Sequence, residues 1–301
     1  MQSLEFYLDA LSQDDLIYFF LPIFVLSLVA EYWFDRKNRL GLFEIKDTKA
    51  SLWMMLMVGV VDVLPKLAAI VAFYMLHEIS PLADVIQRQW WAWVLLFFLD
   101  DITYYFFHRS NHEVRLFWAG HVSHHSAIKM NFATALRQGV TERIHKYLFW
   151  LPLPLLGFDP LMIFTMMSLN LFYQFWLHTE LISRLPNLLE YFFNTPSHHR
   201  VHHASNIRYL DCNHAGVLII WDRLFGTFSE QSEDEEPIYG LTTNITSYAP
   251  LDVALHEYHA ILVDVKRASR WRDKLGYLIR APGWSHDGPD KRAKTLRSQI
   301  L

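Results

Sequence analysis

Residues 90–112, WWAWVLLFFLDDITYYFFHRSNH, decide what kind of protein this is. The stretch 90–107 is largely apolar, opens on tryptophans suited to a water–lipid interface, and is long enough to cross a bilayer as a helix. His108 and His112 follow directly, so a continued helix carries both on one face just where it leaves the apolar run. Asp101 stands nearly two turns before His108 on that face. From there its carboxylate can accept a hydrogen bond from a metal-bound imidazole and fix its tautomer.

Further apolar stretches lie on either side. Residues 16–33 are one, and 50–76 are a second, interrupted by Asp62, Pro65 and Lys66, with Asp62 and Lys66 spaced to pair on a helix. Residues 147–177 contain Pro152, Pro154 and a Gly157–Pro160 turn, which reads as a helical hairpin with one re-entrant arm. The expected fold is an all-α integral membrane protein, with four to five transmembrane or re-entrant helices and a cytoplasmic helical region bearing the histidines. The chain reads as one domain, 1–301: N-terminal spans over 16–107, a catalytic region over 108–230 that includes the 147–177 hairpin, and a cytoplasmic tail over 231–301. Arg36, Lys37, Arg39, Lys46 and Lys49 form a cationic loop that the positive-inside rule places in the cytoplasm. The N-terminus, acidic at Glu5, Asp9, Asp14 and Asp15, then lies across the membrane and does not read as a cleavable signal. Residues 264–301 are rich in Lys and Arg and carry Trp271 and Trp284, a composition suited to an anionic lipid surface or to a solvated helix.

Composition agrees. Hydrophobic residues make up 52% and charged residues 19% of the chain, against about 25% charged in soluble domains. A net charge of −4 gives no footing for nucleic acid. The single cysteine, Cys212, excludes a disulfide framework and a CxxC metal site, so any metal is held by nitrogen and oxygen.

Sixteen histidines are present, and eight fall into three boxes: His108 and His112 as HxxxH, His121, His124 and His125 as HVSHH, and His199, His202 and His203 as HRVHH. Positions i, i+3 and i+4 share a helix face, so each HxxHH box is expected to aim three imidazoles at one point. Eight nitrogens are too many for one four-coordinate zinc and suit two ions with four or five ligands each. His178, at the end of the hairpin's second arm, is a further expected ligand; His198 and His214 are candidate extra ligands. His77, His256, His259 and His286, isolated in sequence, read as polar fillers. Glu113, beside His112, is the only carboxylate touching a box, and as a candidate catalytic residue it is a ligand, a partner of a ligand or a proton carrier; the alternative is a plain surface charge. Imidazole suits Fe, Cu or Zn; iron explains a membrane address and so many ligands, whereas soluble di-iron bundles rely on glutamates. A metal transporter, the other class to weigh, would carry its ligands near the bilayer midplane rather than at span ends.

With these boxes the chain resembles the fatty acid hydroxylase and sterol desaturase superfamily. The stretches DITYYFFHRSNHE, WAGHVSHHS, TALRQ, QFWLHTE, NTPSHHRVHH and GVLIIWDRLFGTF resemble its alkylglycerol monooxygenase branch, over about residues 98–230. The resemblance implies an O2-dependent monooxygenase with two iron ions that hydroxylates the ether-linked carbon of an alkylglycerol, releasing aldehyde and glycerol, with tetrahydrobiopterin as reductant. It carries over the eight box histidines as metal-centre residues, His178 from the wider superfamily, and Glu113 as a required acidic residue. His214 stands in NHAG where the family usually has tyrosine, which implies an extra ligand or an altered pocket. A multi-pass location follows, the inner membrane in a bacterium or the endoplasmic reticulum in a eukaryote, with a cytoplasmic active site, a lipid substrate and an external electron donor. The alternative within the superfamily is a hydroxylase or desaturase of a sterol, fatty acid or carotenoid.

Overall fold

A computed structural model of the chain describes residues 16–300, and the acidic N-terminal positions lie outside them. The principal helices are α1 (Leu16–Asn38), α2 (Ile45–Val61), α3 (Val63–Glu78), α4 (Trp90–Glu113), α5 (Arg115–His125), α6 (Pro160–Phe175), α7 (Pro196–His202), α8 (Ile220–Phe225), α9 (Pro250–Arg267) and α10 (Trp271–Ile279). Among the described residues no strand forms, and one isolated bridge joins Ala204 to Tyr239.

Local chemistry explains where these helices start and break. The Glu44 carboxylate caps α2 by accepting from Asp47 N. At Asp62 the stretch expected as one span divides into α2 and α3, bent by 44°. Pro65 falls in the first turn of α3, where its missing N–H is harmless, and Asp62 accepts the Tyr147 hydroxyl at 3.0 and 3.1 Å. Asp159 caps α6 by accepting from Leu161 N at 2.8 Å, with Pro160 as the first helical residue.

The re-entrant first arm expected of the 147–177 hairpin is short but not one continuous helix. Residues Tyr147–Trp150 and Pro152–Leu155 are two single turns, too short to cross a bilayer. The chain then reverses at Gly157, whose φ of +90° and close approach to the Leu82 carbonyl exclude a side chain. Among the described residues no single helix is long and apolar enough to cross a membrane; by length and composition only the bent pair α2–α3 qualifies. Large apolar side chains nevertheless face outward along α1 and the α2–α3 junction, including Phe19, Leu26, Trp33, Val60 and Leu64.

The main core lies between α3, α4 and α6, where Phe73, Leu96, Phe107, Trp150 and Phe164 are buried together. Phe24 of α1 packs on Phe172 and Phe175 of α6. The C-terminal segment joins the body: Val253 and Ala254 of α9 bury against Met54 and Val140, and Arg115 of α5 pairs with Glu257 and Asp264 at 2.7 Å each.

A buried ion pair ties α2 to the region after α5. Arg137, 1% exposed, donates to the Asp47 carboxylate and carbonyl, Ser51 Oγ and Ser126 Oγ. Removing one partner leaves an uncompensated buried charge, which costs about 3–5 kcal/mol. Asp47→Ala is therefore expected to destabilise the detergent-purified protein by about that amount in chemical denaturation. A loss under about 1 kcal/mol would show that the pair is replaceable by solvent.

Candidate metal centre

The α4 face carries His108 and His112 inward together with Tyr105 and Asn111. Val114, in an extended conformation, ends α4 and lets α5 begin at once, bringing in His121, His124 and His125. α7 contributes His199 and His202, with His203 as its C-cap, and His178 follows the last turn of α6. All nine are no more than 5% exposed.

They form two groups. His108, His112, His121, His125 and His202 make one, and His124, His178, His199 and His203 the other, with the ligand atoms of each within 4.8 Å of one another. The expectation that each HxxHH box aims at a single point is corrected here. His121 and His125 join the first group and His124 the second; His202 joins the first, and His199 and His203 the second. Positions i and i+4 stack along a helix, whereas adjacent residues diverge by about 100° around it, so neighbouring histidines point to different centres.

Hydrogen bonds at the far side of the rings fix the tautomers. His108 Nδ1 lies 2.8 Å from the His214 carbonyl, His124 Nδ1 3.0 Å from that of Arg137, His178 Nδ1 2.9 Å from that of Gln174, and His202 Nδ1 2.9 Å from that of Cys212. A carbonyl only accepts, so each Nδ1 carries the proton and each Nε2 is a bare lone pair. His121 Nδ1 likewise donates to Glu142 at 2.9 Å, and His112 Nδ1 to Asp211 at 3.2 Å.

The bare nitrogens face one another. His108 Nε2 and His121 Nε2 are 3.0 Å apart, and His124 Nε2 and His178 Nε2 are 3.3 Å apart. Two lone pairs at that separation repel and cannot hydrogen-bond. His112 Nε2 and His202 Nε2 are buried without any partner. Nitrogens bound about 2.1 Å from a shared ion at right angles stand roughly 3 Å apart, so a cation in each group turns this repulsion into coordination. Burial first, then the charges of neighbouring imidazoles, hold His125, His199 and His203 well below the usual histidine range. These three rings are thus neutral at pH 7, as metal ligation requires.

Residues 211–214 supply three of the acceptors for the five-histidine group. Asp211 and Asn213 in this segment have φ of 52° and 59°, a left-handed conformation that costs energy away from glycine. The Asn213 side chain holds it by bonding the carbonyls of His198 and Ser229, and the Asp222 carboxylate takes His214 N and Ala215 N at 2.7 and 2.8 Å.

Four sequence candidates stand elsewhere than expected. Asp101 touches no imidazole: it accepts from Val217 N, Leu218 N and Trp221 Nε1 at 2.8–2.9 Å, and so anchors the loop that presents the His214 carbonyl. Glu113 is not brought into the centre; its side chain is 51% exposed and pairs with Arg109 at 2.8 Å, because position 113 faces outward from α4. His198 points away from both groups to Glu190 at 3.1 Å. His214 packs its ring 4.9 Å from that of His112, but it belongs to neither group, and its Nδ1 is buried without a partner. Glu142, which sequence reasoning missed, bonds a group member directly; it lies 21 residues from His121 and no local pattern marks it.

Beside the second group lies a cavity of about 420 Å³, lined by Phe24, Val58, Met167 and Phe175 and reaching His178. Its apolar wall suits a hydrocarbon chain.

Comparison with known proteins fits this geometry. Residues 93–227 match the fatty acid hydroxylase family. The alkylglycerol monooxygenases of Homo sapiens and Xenopus tropicalis are 37% and 36% identical to the chain over 94% of its length. The chain spans 61% of the length of these relatives. An ornithine lipid hydroxylase of Rhizobium tropici is 29% identical over 50% of the chain and 46% of its own length. No solved structure matches.

Glu142→Leu removes the acceptor that orients His121 and raises its basicity. Metal affinity, measured by chelator competition in detergent, is expected to fall roughly 10–100-fold. Glu113→Gln is expected to leave that affinity within about two-fold, since an exposed ion pair contributes little. The reverse ranking would return Glu113 to the metal centre.

Proposed function

We propose, from the match of residues 93–227 to the fatty acid hydroxylase family, that the chain is a membrane-embedded, O2-dependent lipid monooxygenase holding two iron ions. The proposed reaction is hydroxylation of the ether-linked carbon of an alkylglycerol. One oxygen atom of O2 enters the C–H bond; the other leaves as water, with two electrons and two protons from an external donor. The resulting hemiacetal collapses to fatty aldehyde and glycerol. The observation that carries this reading is the pair of buried groups, five and four imidazoles with their Nε2 atoms convergent and no carboxylate or thiolate in either. Alkylglycerol as substrate rests on similarity to the alkylglycerol monooxygenases; tetrahydrobiopterin as donor rests on the resemblance carried by the sequence stretches alone.

His108, His112, His121, His125 and His202 would hold one ion, and His124, His178, His199 and His203 the other. Bound there, iron would supply the O2 chemistry that no side chain provides. The protein's own part is to keep nine rings aimed, to bind a chain in the cavity beside His178, and to exclude water from it. The ornithine lipid hydroxylase match supports a second reading, hydroxylation of another acyl lipid at the same centre.

Membrane embedding is supported by the apolar side chains exposed on α1 and around the α2–α3 junction. The cationic loop at 36–49 supports a cytoplasmic active site and C-terminus, with the N-terminus opposite.

Three measurements test these proposals. Iron-replete, detergent-purified protein is expected to hold about two iron per chain, as two groups of four and five nitrogens require; His202→Ala, which deletes a ligand, is expected to lower that content and abolish turnover. A firm single equivalent in the unaltered chain would defeat the two-ion assignment. With O2 and tetrahydrobiopterin the iron-loaded protein is expected to release fatty aldehyde from an alkylglycerol; full iron with oxidation only of a sterol or acyl chain would favour the second reading. Cysteines inserted near positions 3 and 290 are expected to label from opposite sides of the membrane, and same-side labelling would refute the topology.

A further inference from the structure

The cavity that reaches His178 is lined not only by apolar side chains but by three cations, Lys66, Arg143 and Lys146, against one carboxylate, Asp62. Asp62 already accepts the Tyr147 hydroxyl. Glu142, the next acid in the chain, is held by His121. Asp100, outside the lining, lies in electrostatic range of Lys146 but already accepts from Trp150 and Asn170, so what Arg143 and Lys146 lack is hydrogen-bond acceptors. Arg143 is 5% exposed, yet among the described residues its only hydrogen bond runs from Nη2 to Gln138 Oε1 at 3.3 Å, and its Nε has no partner. Lys146 makes no hydrogen bond among the described residues; its ammonium lies 5.9 Å from the centre of the Trp150 ring. Cationic donors left without acceptors in a largely apolar cavity are costly unless the occupant brings anionic oxygens.

We propose that this cavity takes a single-chain ether lipid with a phosphate monoester headgroup, and that Arg143 and Lys146 are the residues that select it. The proposal rests on the lipid-oxygenase reading above and narrows its substrate. A guanidinium offers a planar fork of N–H donors to phosphate oxygens, and an ammonium adds a point charge. A phosphate monoester carries between one and two negative charges at neutral pH, a better match to two cations than a carboxylate. The ether-linked carbon lies between headgroup and chain. Holding the phosphate at the cations and the chain on Phe24, Met167 and Phe175 therefore brackets the carbon to be oxidised.

The test uses iron-loaded protein in detergent. Native mass spectrometry without O2 or reductant reads binding of 1-alkylglycerol, 1-alkylglycerol 3-phosphate and inorganic phosphate; aldehyde release is measured separately with O2 and reductant. The phosphorylated lipid is expected to bind at least roughly ten-fold better than the neutral one, the scale of one hydrogen bond to a charged group. Lys146→Met and Arg143→Gln are each expected to bring that ratio towards one, and Arg143→Lys to retain most of it. Should Arg143→Gln not fold, the half-buried Lys146 carries the comparison. Equal affinity for the two lipids, or a ratio unmoved by Lys146→Met, would overturn the proposal. Inorganic phosphate binding as tightly as the phosphorylated lipid would assign the cations to a free anion and also overturn it. Because binding is read apart from turnover, a selective chain that cleaves no ether refutes the proposed reaction and not the headgroup site.

Discussion

Unprotonated imidazole nitrogens facing one another at 3.0–3.3 Å, as His108 faces His121 and His124 faces His178, repel unless a cation lies between them. That constraint organises the protein. Six of the nine rings are held against the repulsion from behind, by a backbone carbonyl for His108, His124, His178 and His202 and by a carboxylate for His121 and His112. These acceptors leave Nδ1 protonated and Nε2 bare, which is the form a metal requires. The strained turn at Asp211 and Asn213 exists in this context: it presents the Asp211 carboxylate and the carbonyls of Cys212 and His214 to three rings of one group.

The two groups are not two independent sites. α5 and α7 each give ligands to both, because adjacent histidines on a helix diverge while those four apart align. A shift of either helix therefore disturbs both groups at once. Behind α5, Arg137 joins the Asp47 carboxylate at the start of α2 to the carbonyl that orients His124. Behind α6, the Glu31 carboxylate of α1 accepts from Thr179, next to His178, and from Phe132 N. The apolar N-terminal helices are thus bonded to the segments that aim the ligands, and the cavity lined by Leu21 and Phe24 of α1 reaches His178.

Much of this was legible in the linear chain. The spacing of the three boxes, the proximity of His108 and His112 to an apolar run, and the lack of cysteine determined a nitrogen-rich metal centre on helices, since helical periodicity alone brings positions i, i+3 and i+4 to one face. The family resemblance rested on those same stretches. Only the tertiary structure decided how the boxes divide, that Asp101 anchors a loop and touches no imidazole, that Glu113 faces outward, and that Glu142 and the 211–214 turn aim the rings. The physical reason is one of range. A helix fixes which side chains share a face, but a hydrogen bond between residues 21 or 106 positions apart depends on how whole elements pack, and no local pattern encodes that.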